Sequence, residues 1–306
     1  MIKTPPEMSS ESSSPRPATA VTIGTFDGLH KGHRLVIATL KKLAHERRLR
    51  PMVMTFDRHP LETVAPHRAP GYVLPPSEKT GELWSHGLDL HVVEFTPETA
   101  ALSAREWMEK LHAEFGVRAL VVGYDNTFGC DGVNMSIDDY KKMGGELGIE
   151  VVEAPIEKGV SSSAIRRLVA AGEMEKAGEM LGKPFHITGE VVHGKALGRE
   201  IGFPTANLRV LYKAHLPMKG VYAADVEVPG GRVYDAVVNV GTRPTVSDSD
   251  ALSIEAHLLG FSGDLYGKKI TVRFRKLLRE EMRFEDVMQL KRQIQKDIAS
   301  LRRLKR

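Results

Sequence analysis

One cysteine, Cys130, is all that the 306 residues contain. That excludes an intrachain disulfide framework and a zinc site built mainly of cysteines. No apolar run reaches the roughly 18 residues that a membrane helix needs. The first stretch, Met1 to Thr19, is rich in Ser and Pro and lacks an apolar core. It makes a poor signal peptide and is expected to be a disordered lead. No internal repeat relates the two halves. The formal net charge is only +4, and much of the excess sits in Leu301-Arg302-Arg303-Leu304-Lys305-Arg306. Basic residues at a helix C-terminus complement its dipole. No nucleic-acid motif accompanies them, so neither nucleic acid nor membrane is an expected partner. A cytoplasmic setting follows; the oligomeric state is not legible.

What remains is a soluble, globular composition, 42% hydrophobic and 27% charged, long enough for two domains. From residue 20 to about 155, short apolar runs alternate with helix patterns. Strands are expected at Ala20-Gly24, Pro51-Phe56, His91-Phe95, Arg118-Gly123 and Glu150-Pro155. Helices are expected at Gly32-Arg47, Ser77-His86, Ser103-Phe115 and Ile137-Leu147. This alternation predicts an α/β fold with a doubly wound parallel sheet. A further helix is expected over Arg166-Leu181, closed by Gly182-Lys183-Pro184. Beyond it, closely spaced strands at Thr188-His193, Val221-Val228, Val233-Val240, Ser253-Leu259 and Lys269-Phe274 predict an antiparallel β-barrel. A terminal helix from about Glu285 carries the apolar stripe Val287, Leu290, Ile294, Ile298 and Leu301, expected to pack on that barrel. The expected divisions are therefore 1–19, 20–182 and 183–306.

The first half turns on Gly24-Thr25-Phe26-Asp27-Gly28-Leu29-His30-Lys31-Gly32-His33. It joins a buried strand to an amphipathic helix, at the sheet edge where ligands bind. Glycines let backbone approach a ligand, and a helix N-terminus favours phosphate. His30 and His33 share a face of the first helical turn; one of them can act as an acid near neutral pH. Three more segments fit a nucleotide site. Asp57, in Thr55-Phe56-Asp57-Arg58-His59-Pro60, can orient a substrate group or cap a turn. In Gly123-Tyr124-Asp125-Asn126-Thr127-Phe128-Gly129, Asp125 is a candidate binding residue, and Phe128 or Tyr124 can stack on a flat ring or fill the core. Ser161-Ser162-Ser163-Ala164-Ile165-Arg166 opens a helix, and its hydroxyls and arginine make an anion site.

These segments resemble the adenylyltransferase half of bacterial bifunctional riboflavin kinase/FAD synthetases, within the HIGH-type nucleotidyltransferases. Asn126 stands where that family usually has Phe, and Ser163 where it usually has Thr. The resemblance implies attack by the FMN phosphate on the α-phosphorus of ATP, releasing pyrophosphate. It makes His30, His33 and Arg166 the catalytic candidates, with Gly24, Phe26, Asp27, Gly32, Asp57, Asp125, Phe128, Ser162 and Ser163 binding ATP or FMN.

In the second half, Gly189 to Gly194 and then Lys195, Gly198 and Arg199 lead into Gly202-Phe203-Pro204-Thr205-Ala206-Asn207. The glycines allow a loop to fold over phosphates, and Thr205 and Asn207 offer hard oxygen ligands suited to Mg²⁺. The stretch resembles the riboflavin kinase signature, and further motifs follow in the family's order. These are Gly220-Val221-Tyr222-Ala223; Asn239 to Thr245; Glu255 to Leu259; Asp264-Leu265-Tyr266-Gly267; and Leu278-Arg279-Glu280. The resemblance covers about residues 20 to 300. It implies that Glu255 takes the proton of the flavin's ribityl hydroxyl as that hydroxyl attacks the γ-phosphate of ATP. Gly194, Lys195, Gly198, Pro204 and Arg279 would bind nucleotide or flavin, and Thr205 and Asn207 would hold Mg²⁺, with Mn²⁺ as a substitute. Riboflavin, FMN and ATP are then the small-molecule partners. The rival readings are a riboflavin kinase whose first domain is weak or regulatory, and a nucleotidyltransferase for another phosphorylated substrate.

Overall fold

The computed structural model describes residues 18–124, 127–194, 197–242 and 252–304. The first half runs β1 (Thr19–Ile23), α1 (Lys31–Arg47), β2 (Arg50–Phe56), α2 (Pro60–Val64), α3 (Pro76–Ser85) and β3 (Asp89–Val93). It continues with α4 (Pro97–Ala101), α5 (Ala104–Phe115), β4 (Val117–Val122), α6 (Ile137–Glu146) and β5 (Glu150–Glu153). The strands form one parallel sheet in the order β3-β2-β1-β4-β5. The expected doubly wound sheet is therefore present. Alternate residues of β1 feed two cores. Val21 and Ile23 pack with Trp107, Met108 and Leu111, while Ala20 packs with Val36, Leu40 and Leu43 of α1. The order reverses at β1, so the turn after β1 opens into the crevice between β2 and β4, where α/β sheets bind ligands.

Helix ends follow local chemistry. Ser103 and Glu106 close a capping box on α5, as their spacing predicts, and Ser136 with Asp139 does the same on α6. β3 begins and ends two residues before the expected position. Phe95 has left the sheet: its ring meets Phe56 edge-on and its N–H donates to Asp57. The short helices α2 and α4 were not expected from periodicity, since five residues carry less than two turns of pattern.

Two helices, α7 (Ser162–Ala170) and α8 (Met174–Leu181), replace the single one expected over Arg166-Leu181. Gly172 breaks it with φ +76°, and a Cβ there would come within 3.0 Å of Leu277. Ile165, Val169, Met174, Ala177 and Leu181 pack in one cluster with the barrel residues Phe185, Tyr222 and Phe274.

The barrel is assembled from β6 (His186–Val192), β7 (Ala206–Arg209), β8 (Gly220–Glu227), β9 (Val233–Thr242), β10 (Leu252–Leu258) and β11 (Lys269–Arg279). It closes in the order β10-β7-β6-β11-β8-β9, every pair antiparallel. A short α9 (Leu197–Glu200) precedes β7, and α10 (Val287–Arg303) ends the described chain. β7 escaped the sequence reading because it is four residues long and begins two residues after Pro204. On α10 only the second half of the apolar stripe packs as expected: Ile298 and Leu301 cover Val221, Ala223 and Val237. Leu290 and Ile294 line a cavity instead, and Val287 is exposed. Among the described residues no helix is long and apolar enough to cross a membrane.

Candidate active sites

The crevice above β1 holds a cavity of about 510 Å³. Its lining brings together Gly24, Phe26, His30, Gly32, His33, Ser162, Ser163 and Arg166, residues from two ends of the domain's sequence. His30 is the N-cap of α1, and its Nδ1 accepts from the His33 N–H at 3.3 Å. A neutral His30 therefore carries its proton on Nε2. The two imidazoles stack with centroids 3.6 Å apart and planes 16° from parallel. Gly32 leaves space for this stack, because a Cβ would stand 3.2 Å from the His30 ring and press on it. The turn is also held in an unusual backbone form: Phe26 and Leu29 have φ of 48° and 43°.

His33 does not fit the expectation of a near-neutral acid. Burial, the adjacent His30 and the nearby Lys79 push its pKa well below the ordinary value. Its Nδ1 is buried without a hydrogen-bond partner among the described residues. The resting ring is neutral at pH 7, a polar group aimed at charge it has yet to meet.

Three expected contacts lie elsewhere. Asp27 points away from the cavity: its carboxylate accepts from the N–H groups of Val73 and Leu74 and pairs with Arg166. It anchors the turn, and it positions Arg166, whose Nε also donates to Gly71 O at 2.9 Å. Asp57 caps its own loop, bonding Arg58 and the Phe95 N–H. Burial pushes its pKa up, but those two partners outweigh it and hold the carboxyl below its usual range. Phe128 is a core residue, buried against the Tyr140 ring with centroids 4.8 Å apart. Tyr124 is the exposed aromatic at the cavity. Asp125 lies outside the described residues, with Asn126.

Two participants were missed. His59 reaches the cavity, and Tyr72, hydrogen-bonded to Glu62, accepts from the His59 N–H. Lys79 of α3 is buried beneath the turn, holding Thr25 O and Phe56 O. Its spacing of four from Leu83 was a usable signal, since it places a lysine on the apolar face of a helix.

The second cavity, about 270 Å³, lies outside the barrel wall and under α10. Period-2 alternation explains it. Ile254, Ala256 and Leu258 point into the barrel core, so Glu255 and His257 point out. The register then makes a continuous row. Asn207 on β7 pairs with Glu255 on β10, Glu255 with Asn239 on β9, Asn239 with Val221 on β8, and Val221 with Arg279 on β11. Glu255, Asn239, Thr205, Gly198 and Arg279 line the cavity.

The loops before β7 close on this row. A Cβ on Gly194 would fall 2.4 Å from the Asn207 amide, and one on Gly198 would fall 2.4 Å from Phe203 O and 3.3 Å from Thr205 Oγ1. The Thr205 and Asn207 oxygens thus sit under a backbone cradle that only glycine allows, a donor set that fits a hard cation. His257 Nδ1 donates to Pro204 O at 2.8 Å and fixes the turn that carries Thr205. Arg279 is committed to structure as well as to the cavity: three hydrogen bonds of 3.0–3.1 Å join it to Asp297 of α10. Lys195 lies outside the described residues, as do Arg243, Pro244 and Thr245. Sequence reasoning missed Asp297, though a carboxylate three residues after Ile294 stands on the stripe face of α10.

Both halves match known family models: FAD synthetase over residues 12–164 and riboflavin kinase over residues 181–305. The chain is 40% identical over 292 residues to the bifunctional riboflavin kinase/FMN adenylyltransferase of Escherichia coli (strain K12), covering 94% of this chain and 92% of the relative. It is 37% identical to the protein of the same name from Pseudomonas fluorescens, covering 92% of each chain. The Bacillus subtilis (strain 168) protein of that name is 36% identical, with 91% of this chain and 90% of the relative covered. A crystal structure described as a macrolide-efflux protein from Streptococcus pneumoniae superposes with TM-score 0.82 at 34% identity over 94% of each chain. With two adjoining catalytic folds and full-length relatives of one kind, this chain belongs to the bifunctional riboflavin kinase/FMN adenylyltransferase family.

Proposed function

We propose that the two activities of this family are divided between the two cavities. The chain phosphorylates riboflavin to FMN with ATP and adenylylates FMN to FAD with a second ATP. We assign the first step to the barrel's outer wall and the second to the crevice above β1, with domains spanning 20–182 and 183–306. Gly182, left-handed at the end of α8, supports that division. The observation that carries the assignment is the row Asn207–Glu255–Asn239, which sets one carboxylate between two amides under a glycine cradle.

At the barrel wall, Glu255 accepts the proton of the ribityl hydroxyl as its oxygen bonds to the γ-phosphorus, and ADP leaves. Thr205 and Asn207 would hold Mg²⁺, or Mn²⁺ in its place, which would neutralise phosphate charge. His257 keeps the Pro204–Thr205 turn in place. Leu290, Ile294, Phe284 and Met282 offer an apolar wall suited to a flavin ring.

In the crevice no protein nucleophile is needed. An FMN phosphate oxygen bonds to the α-phosphorus of ATP, and the bond to pyrophosphate breaks. His30, His33, Arg166, Ser162, Ser163 and the first N–H groups of α1 would orient the triphosphate and meet its growing negative charge. Asp27 contributes by fixing Arg166. The setting inferred for this chemistry is the cytoplasm.

Incubating the purified chain with riboflavin and Mg-ATP and separating the flavins tests both assignments. FMN and FAD should both accumulate. FMN alone would leave the crevice without its assigned role; neither product would remove both.

A further inference from the structure

Lys79 is 5% exposed, beneath the turn that carries His30 and His33. Its Nζ has three acceptors: Thr25 O at 3.1 Å, Thr55 Oγ1 at 3.1 Å and Phe56 O at 2.9 Å. These sit at the carboxyl-terminal ends of β1 and β2, so the lysine pins the floor of the crevice. All three acceptors are neutral. Among the described residues no carboxylate comes within the 4.0 Å of an ion pair with it. Asp27 and Asp57 favour its charged form from beyond that distance, but each is paired elsewhere, Asp27 with Arg166 and Asp57 with Arg58. A buried ammonium with no carboxylate in contact is costly to maintain, and neutral acceptors with two already paired carboxylates offset only part of the cost.

The charge is felt in the cavity. It helps to depress the pKa of His33 and also that of His59, both of which line the cavity. Lys79 itself has no atom there. Its field therefore acts where an anion would sit, through protein rather than through water.

We propose that Lys79 is a positioning and electrostatic residue of adenylyl transfer: it fixes the ends of β1 and β2, and its charge, which no carboxylate meets in contact, attracts the polyphosphate of ATP bound above it. This rests on reading the crevice as the ATP site. A neutral donor in its place would keep the floor and lose the attraction.

Lys79→Gln makes that separation, because its amide can still donate to the carbonyls. FAD formation from supplied FMN is measured on the full chain over a range of Mg-ATP. Riboflavin phosphorylation by the same preparation reports the integrity of the fold. The KM for Mg-ATP in FAD formation should rise about tenfold, a modest loss of one buried charge acting at a distance. The kinase constants should be unchanged. An unchanged KM in FAD formation overturns the proposal. Failure of the parent chain to form FAD would instead overturn the reading of the crevice.

Should Lys79→Gln lose the kinase as well, the parent chain supplies the answer through pH. Lys79 acts electrostatically with His33 of α1, with His59 and Asp57 after β2 and with Asp27 after β1. Both histidines are depressed, Asp57 is held low, and Asp27 is paired with Arg166. Burial brings Lys79 down to about 8. The KM for Mg-ATP should therefore climb between about pH 7 and 9.5 as the ammonium loses its proton. A flat profile overturns the proposal.

Discussion

Glu255 and Asn207 stand directly opposite each other across the β10–β7 pair, on the outer wall of a closed barrel. That pairing puts the proposed base beside the proposed metal ligand with no intervening residue to adjust. Glu255→Gln keeps the size and removes the proton acceptor. Phosphorylation of riboflavin should fall by about a hundredfold or more. FAD formation from supplied FMN should be unaffected. Separated flavins from the two assays check this; equal losses in both would show a folding defect rather than loss of a base.

The stacked pair His30 and His33 gives a converse test. His33→Ala removes a polar group aimed into the crevice while leaving the N-cap at His30. Losing one donor to a developing phosphate charge costs about 3 kcal/mol, roughly a hundredfold in rate. FAD formation should drop by that order and riboflavin kinase activity should stay. Normal adenylyl transfer in folded His33→Ala would remove this histidine from the mechanism.

Both the crevice and the wall were legible where a motif coincides with a periodic element. Val21 and Ile23 feeding into Gly24 located the turn above β1, and the alternation around Glu255 located the wall. What was not legible depends on distant partners. Nothing local says that Asp27 is consumed by the Val73 and Leu74 N–H groups, 46 and 47 residues away. Phe128 likewise goes to the core because Tyr140 is there to receive it. The split between α7 and α8 falls at Gly172, whose φ of +76° disfavours any other residue and whose missing Cβ would crowd the distant Leu277 at 3.0 Å. Lys79 was visible in principle, but a lysine on an apolar helix face reads as an error until the strand ends it holds are known.

Arg279 and Asp297 give a prediction about α10. Asp297 is 4% exposed and accepts from Arg279 and from Gln293. Asp297→Ala leaves a largely buried guanidinium without its partner, at a cost of about 3 kcal/mol. The first half of α10 walls the barrel cavity through Leu290 and Ile294. Thermal unfolding of the kinase half should move to lower temperature, and the KM for riboflavin should rise more than kcat falls. Calorimetry and kinase assays at varied riboflavin would report both. A variant with parent stability would show that the pair contributes nothing net.

Lys79 makes stability depend on pH in a calculable direction. Its ordinary value is 10.5, and burial lowers it to about 8 in the folded chain. Between those values the unfolded chain still holds a proton that the native chain has released. Stability therefore rises as pH increases through that window and is lower by this group's full contribution below about pH 8. The difference of 2.5 in pKa corresponds to about 3 kcal/mol. Denaturant unfolding of the parent and of Lys79→Gln, at pH 7.5 and again near pH 10, isolates the effect because other titrations are common to both. The parent should gain on the variant by up to that amount over the interval. If the two curves run parallel, the ammonium is not paying a burial cost, and the case for an ATP counter-charge weakens with it.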